Sequence, residues 1–167
     1  MKKSMVDHPP GQTLRLGLRL PVWLYRLHLG WLLGNRFLML THKGRKSGNT
    51  YQTVIEVVRF DQKTDTFYAV SGWGKKADWY QNIHADPQVV INVGRRKLKV
   101  HAREIPLPEA VDIFDEYTRQ HPLAFKELTR LFLGESLQPG RDSSRRLAEL
   151  MPMVAFQARP EFSPLDS

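Results

Sequence analysis

The chain has 167 residues, 25 Lys and Arg against 17 Asp and Glu for a formal charge of +8, and no cysteine. That length suits one domain with a core of its own, and the absence of thiols excludes disulfides and thiolate metal sites and agrees with a reducing cytoplasm. The charge favours polyanionic partners such as nucleotides, nucleic acid, acidic membrane or an anionic cofactor, without choosing between them.

Residues 1–13 hold Pro9, Pro10 and Gly11 with few apolar groups and read as a flexible arm. Asp7, His8 and the prolines stand where a secretion signal needs its apolar run. Residues 14–167 read as a single domain. Pro21 opens a helix to about Leu33, stopped at Gly34-Asn35. Extended back to Leu14, it would align Arg15, Arg19 and Arg26 on an apolar segment bearing Trp23, Tyr25 and Trp31. Two readings stand: a helix capping a barrel end, which is favoured, and peripheral contact with the inner face of a membrane. The interspersed charges argue against a transmembrane span.

Arg36 to Thr41 is a short apolar strand, and Gln52 to Phe60 a long one rich in β-branched residues. A turn over Asp61 to Asp65 returns the chain through Thr66 to Ser71, making a hairpin. Ala77 to Ala85 is helical and ends at Asp86-Pro87, since the residue before proline avoids helical geometry. Val89 to Val93 and Lys97 to Arg103 form a second hairpin about Gly94-Arg95-Arg96. Two helices follow, Pro108 to Gln120 and Pro122 to Leu133. A polar linker over Gln138 to Ser144, a short helix over Arg145 to Leu150 and a last strand over Met153 to Ala158 complete the chain. Six strands in hairpins, segregated from helices, define an α+β fold. No Gly-x-Gly-x-x-Gly opens a helix after a strand, so a Rossmann site is not supported.

Two loops carry chemistry. Lys43-Gly44-Arg45-Lys46-Ser47-Gly48 packs three cations and a hydroxyl between glycines, which let backbone N–H groups approach a phosphate or carboxylate. Ser71-Gly72-Trp73-Gly74-Lys75-Lys76-Ala77 leaves a strand, turns on glycines and enters the helix that carries Trp79 and Asn82. A flat ring fits along the second loop with its charged tail on the first. The six histidines show no zinc-type spacing, so no metal is expected.

These motifs, with Ala85-Asp86-Pro87 before Val89 to Val93, resemble the deazaflavin-dependent nitroreductase family, which uses coenzyme F(420) in place of a flavin. The likeness covers Phe37 to Arg103 and, more loosely, His121 to Gly134. It implies a split β-barrel of the flavin-reductase type with N-terminal and C-terminal helices, monomeric or homodimeric. It implies hydride transfer from reduced coenzyme F(420) to a small unsaturated, quinone-like or nitro acceptor. The expected cofactor contacts are Lys43, Gly44, Arg45, Lys46, Ser47, Gly48, Thr53, Ser71, Gly72, Trp73, Gly74, Lys75, Lys76, Ala77, Trp79 and Asn82. Relatives carry substrate-facing tyrosines in the segment matching His121 to Ala124, and this chain has none there. Tyr117 and His121, four residues apart on one helix face, are the substitute proton donors.

Three alternatives are weighed. A non-catalytic flavin or deazaflavin binder would keep both loops. FMN in place of the deazaflavin would use the same phosphate loop. A basic nucleic-acid module would bind with steep salt dependence and no cofactor preference, and no nucleic-acid motif supports it.

Overall fold

The computed structural model describes residues 35–158, and the arm and helix expected before Asn35 lie outside the described residues. Six strands form: β1 (Phe37–Lys43), β2 (Thr50–Asp61), β3 (Thr66–Val70), β4 (Gln88–Val93), β5 (Arg96–Glu104) and β6 (Met153–Ala158). They close into an antiparallel barrel in the order β1-β2-β3-β6-β5-β4, with β4 returning to β1. Among the described residues four α-helices accompany them: α1 (Asp78–Ala85), α2 (Leu107–Gln120), α3 (Pro122–Leu133) and α4 (Arg141–Leu150).

The alternation of side chains along each strand sorts them into two cores. Leu38 and Leu40, Ile55 and Val57, Phe67 and Ala69, Ile91 and Val93, Val100 and Ala102, and Val154 and Phe156 point into the barrel. Trp79, Tyr80 and Ile83 of α1 join them. The opposite parity on β3 and β6, Val70, Met153 and Ala155, packs outward against Val111, Phe114, Phe125, Leu147 and Met151 of the helical layer. β6 is therefore buried on both faces, which explains its unbroken apolar run Met153 to Phe156. Full burial of a side chain such as Phe67 or Phe156 contributes roughly 1.5–3 kcal/mol.

The expected strands and hairpins all form, and they close into one antiparallel barrel. Most boundaries fall within two residues of those expected, and one differs by more. The segment read as a polar linker over Gln138 to Ser144 turns helical at Arg141, four residues earlier than Arg145. Gly140 caps this start, accepting bonds from the Ser144 N–H at 3.0 Å and the Ser144 hydroxyl at 2.8 Å. Leu147 and Ala148 of α4 are buried in the core they share with Val111 and Phe114 of α2, so tertiary packing overrides the local polar composition, and Arg141 adds a surface pair with Asp112 at 2.9 Å.

Candidate functional site

The antiparallel register fixes which loops meet. β1 ends and β2 begins at one end of the barrel, where Lys43 pairs with Thr50. β2 lies antiparallel to β3 with Val57 opposite Ala69, so the start of β2 runs beside the chain leaving β3. The Lys43–Gly48 loop, the Ser71–Ala77 loop and the first turn of α1 therefore share that end.

The first loop is one tight turn. The Gly48 N–H donates to the Gly44 carbonyl at 2.8 Å, and the Gly44 N–H to the Asn49 carbonyl at 2.8 Å. A Cβ on Gly44 would stand 2.6 Å from the Ser47 hydroxyl and 2.7 Å from the Tyr51 ring, so a side chain there must displace both. Gly48 has φ +71, a left-handed conformation that glycine takes without penalty. The Ser47 and Tyr51 hydroxyls lie 3.2 Å apart, and Ser47 also accepts from the Asn49 N–H at 3.2 Å.

Not all the predicted donors remain open to a ligand. The N–H groups of Gly44 and Gly48 are taken within the turn, and that of Arg45 donates to Asn82 Oδ1 at 3.0 Å. The N–H groups of Lys46 and Ser47 have no partner among the described residues. Lys43 and Lys46 are exposed, and among the described residues no carboxylate pairs with either.

Arg45 and Asn82 hold each other. The Arg45 guanidinium donates to Asn82 Oδ1 at 2.9 Å and reaches Asp78 Oδ1 at 3.3 Å. Asn82 Nδ2 in turn lies 3.1 Å from His42 Nδ1. Asn82 is 4% exposed and His42 6%. Burial lowers the His42 pKa below its ordinary value, against the opposing pull of Asp78. The first loop is thereby tied to the helix that the second loop opens.

The second loop folds on its own hydroxyl. Ser71, fully buried, donates from its hydroxyl to the Gly74 carbonyl at 2.7 Å, and its N–H to the Pro152 carbonyl at 3.0 Å. A short 3-10 turn over Gly74–Lys76 follows, leaving Trp73 and Ala77 half-buried and Lys75 and Lys76 exposed. Thr53 is half-buried at the start of β2, opposite Leu40. Trp79 is in the barrel core, its ring 6.4 Å from Phe156.

The predicted set thus divides. Ser71, Trp79 and Asn82 shape the loops from inside. Lys43, Lys46, Ser47, Thr53, Trp73, Lys75, Lys76 and Ala77 are exposed or half-exposed around them.

Tyr117 and His121 stand elsewhere. Their rings are 5.3 Å apart, on the wall of a cleft of ≈740 Å³ between β2 and the end of α2. Among the described residues lining that cleft are Val57 to Lys63, Glu116 and Gln120, and none comes from either glycine loop. The Tyr117 hydroxyl donates to Glu56 at 3.3 Å. Burial, then the Glu56 carboxylate, pushes its pKa up to about 12. His121 is exposed between α2 and α3.

Sequence reasoning missed His42, Asp78 and Glu56 as partners of the named residues. Asp78 was findable, since it lies four residues before the predicted Asn82 on one helix face. His42 continues the inward parity of Leu38 and Leu40, which signals burial but not its partner.

The described residues thus form a six-stranded barrel with an exposed cationic turn and a tryptophan-bearing glycine loop at one end. The comparisons make this specific. The family model described as F(420)H(2)-dependent quinone reductase matches residues 18–127, and the chain belongs to that family. It is accordingly a deazaflavin-dependent oxidoreductase whose cofactor is coenzyme F(420). Among solved structures, an F(420)-H(2) dependent reductase is 19% identical over 74% of this chain and 95% of its own, with a TM-score of 0.49. A conserved hypothetical protein of Mycobacterium tuberculosis is 13% identical over 95% and 86%, with a TM-score of 0.50. A pyridoxamine 5'-phosphate oxidase-related, FMN binding protein of Nostoc punctiforme is 10% identical over 84% and 80%, with a TM-score of 0.46. Identities this low speak to the fold alone. Among the described residues no helix is long and apolar enough to cross a membrane.

Proposed function

We propose that this chain reduces a quinone-type acceptor, holding the deazaflavin coenzyme across the two loops at the β1–β2 end of the barrel. The observation that carries this reading is the Gly44–Gly48 turn. It offers the N–H groups of Lys46 and Ser47 and the ammonium groups of Lys43 and Lys46 to an anion, while its other donors keep it in shape. Arg45 acts chiefly as the tether to α1, its charge shared with Asp78. The second loop supplies Trp73 and Ala77 as an apolar wall, with Lys75 and Lys76 at its edge and Thr53 on the nearby start of β2. The bound coenzyme supplies the hydride. The protein's part is to bind, orient and exclude water. Of the two proton-donor candidates, His121 is open to solvent, whereas the Tyr117 hydroxyl is a weak acid engaged with Glu56.

The test is a fluorescence titration of cofactor-free protein with oxidised coenzyme F(420) and with FMN, each at two salt concentrations. Saturable binding of the deazaflavin, weakened by added salt, is expected. Lys43→Ala with Lys46→Ala weakens it by about tenfold or more, as loss of two charge-assisted contacts requires. Unfolding stability changes by less than about 0.5 kcal/mol, because both side chains are exposed. Equal affinity in the double variant would remove the turn from the site, and binding of FMN alone would reassign the cofactor.

A further inference from the structure

His42 is buried next to the Lys43–Gly48 turn and contacts Asn82, which together with Asp78 ties Arg45 of that turn to α1. Asn82 Oδ1 accepts two bonds from Arg45, through the backbone N–H and Nη1. Turning the amide over would set its NH₂ against both of those donors, so the partners themselves fix its orientation. Nδ2 therefore faces His42 and can only donate. His42 must accept on Nδ1, which the neutral imidazole does and the imidazolium cannot.

We propose that His42 is a positioning residue: its neutral form holds Asn82, and through Asn82 the Arg45 tether and the Lys43–Gly48 turn, in the shape that receives an anion, and its protonation releases them. The inference rests on the reading of that turn as the coenzyme's anion site. With a proton on Nδ1, two donors meet at 3.1 Å. Either the His42–Asn82 contact opens or the amide flips, and a flip replaces both Arg45 bonds with donor–donor contacts.

The surroundings agree in direction. Asp78 on α1 favours the imidazolium, the Tyr51 ring on β2 stacks at 6.1 Å, and the Arg45 guanidinium stands beyond Asn82. Burial outweighs Asp78, so protonation comes below the usual value of 6.5. The latch is fully closed above about pH 6.5 and opens as the pH falls through the lower value of the folded protein.

Two measurements on the full chain test this. Proton NMR of the imidazoles in the cofactor-free protein, with His42 identified by its absence in His42→Gln, follows its titration beside the Arg45 amide. The expected result is a shared midpoint below 6.5, moving upward by about one pH unit in Asn82→Asp, whose second carboxylate oxygen accepts from the imidazolium. Titration with oxidised coenzyme F(420) between pH 5 and 8 should show affinity falling about tenfold through that midpoint in the native protein. His42→Gln, whose amide oxygen accepts at every pH, should flatten the profile, and His42→Leu should weaken binding throughout. An Arg45 amide that ignores the His42 titration, or a His42 midpoint unmoved in Asn82→Asp, overturns the latch. So does a profile in His42→Gln that matches the native one. A coupled titration in a protein that binds no coenzyme at any pH supports the latch and overturns the cofactor reading instead.

Discussion

Removing the Asn82 side chain should cost the protein far more than its size suggests. Asn82→Ala deletes the bonds to the Arg45 N–H at 3.0 Å, Arg45 Nη1 at 2.9 Å and His42 Nδ1 at 3.1 Å. A neutral hydrogen bond contributes about 1 kcal/mol, and one to a charged group more. The Arg45 side chain is 26% exposed, so water partly replaces its share, and that bond also counts as about 1 kcal/mol. The sum is about 3 kcal/mol. Alanine returns roughly 0.5 kcal/mol of helix propensity within α1, leaving about 2.5 kcal/mol. Urea unfolding followed by tryptophan fluorescence, to which buried Trp79 contributes, reads this. With a slope of about 2 kcal/mol per molar, the midpoint falls by roughly 1 M. Asp78→Ala is the comparison. Its carboxylate touches the same guanidinium but is 87% exposed, and its loss should cost about 1 kcal/mol or less. If Asn82→Ala is no more destabilising than Asp78→Ala, Asn82 does not organise this end of the barrel.

Two further predictions concern the turn and the tyrosine. Gly48→Ala meets open space and suffers only from φ +71, about 1 kcal/mol, whereas Gly44→Ala drives a methyl into the Ser47 hydroxyl and the Tyr51 ring. Thermal unfolding should rank Gly44→Ala as the more destabilising, and coenzyme titration should show it weakening binding more. For Tyr117, the folded-state pKa of about 12 lies above the ordinary 10. Its contribution to stability is therefore complete below pH 10 and lost as the pH rises through about 12. Tyr117→Phe, which also loses the Glu56 bond, should be about 1 kcal/mol less stable at pH 7 and show a shallower decline above pH 10. Denaturant unfolding across that range checks both, and an unchanged decline would show that another group carries it.

How much of this was legible in the residues follows from the range of each interaction. β-branched residues marked β2 because they suit a pleated, half-buried surface, and alternating apolar and basic residues marked β5 because strand geometry sends successive side chains to opposite faces. Glycines set beside cations marked the anion turn, because space and backbone conformation there are local properties. The chain's own order also predicted two hairpins, since neighbouring strands joined by short turns pair with each other. The helix start at Arg141 was missed because the stretch is polar, and what holds it is the burial of Leu147 and Ala148 against the distant α2.

The sequence by itself determined the six strands, the two loops and the chemistry each offers. Only the tertiary structure decided that β6 inserts between β3 and β5 and closes the barrel. It also decided that Asn82 meets Arg45 and His42 from 37 and 40 residues away. Likewise it gave the Tyr117 hydroxyl to Glu56, 61 residues distant, rather than to the glycine loops. Local periodicity is written by backbone geometry, whereas these contacts depend on which faces are buried together, and no spacing within the chain encodes that.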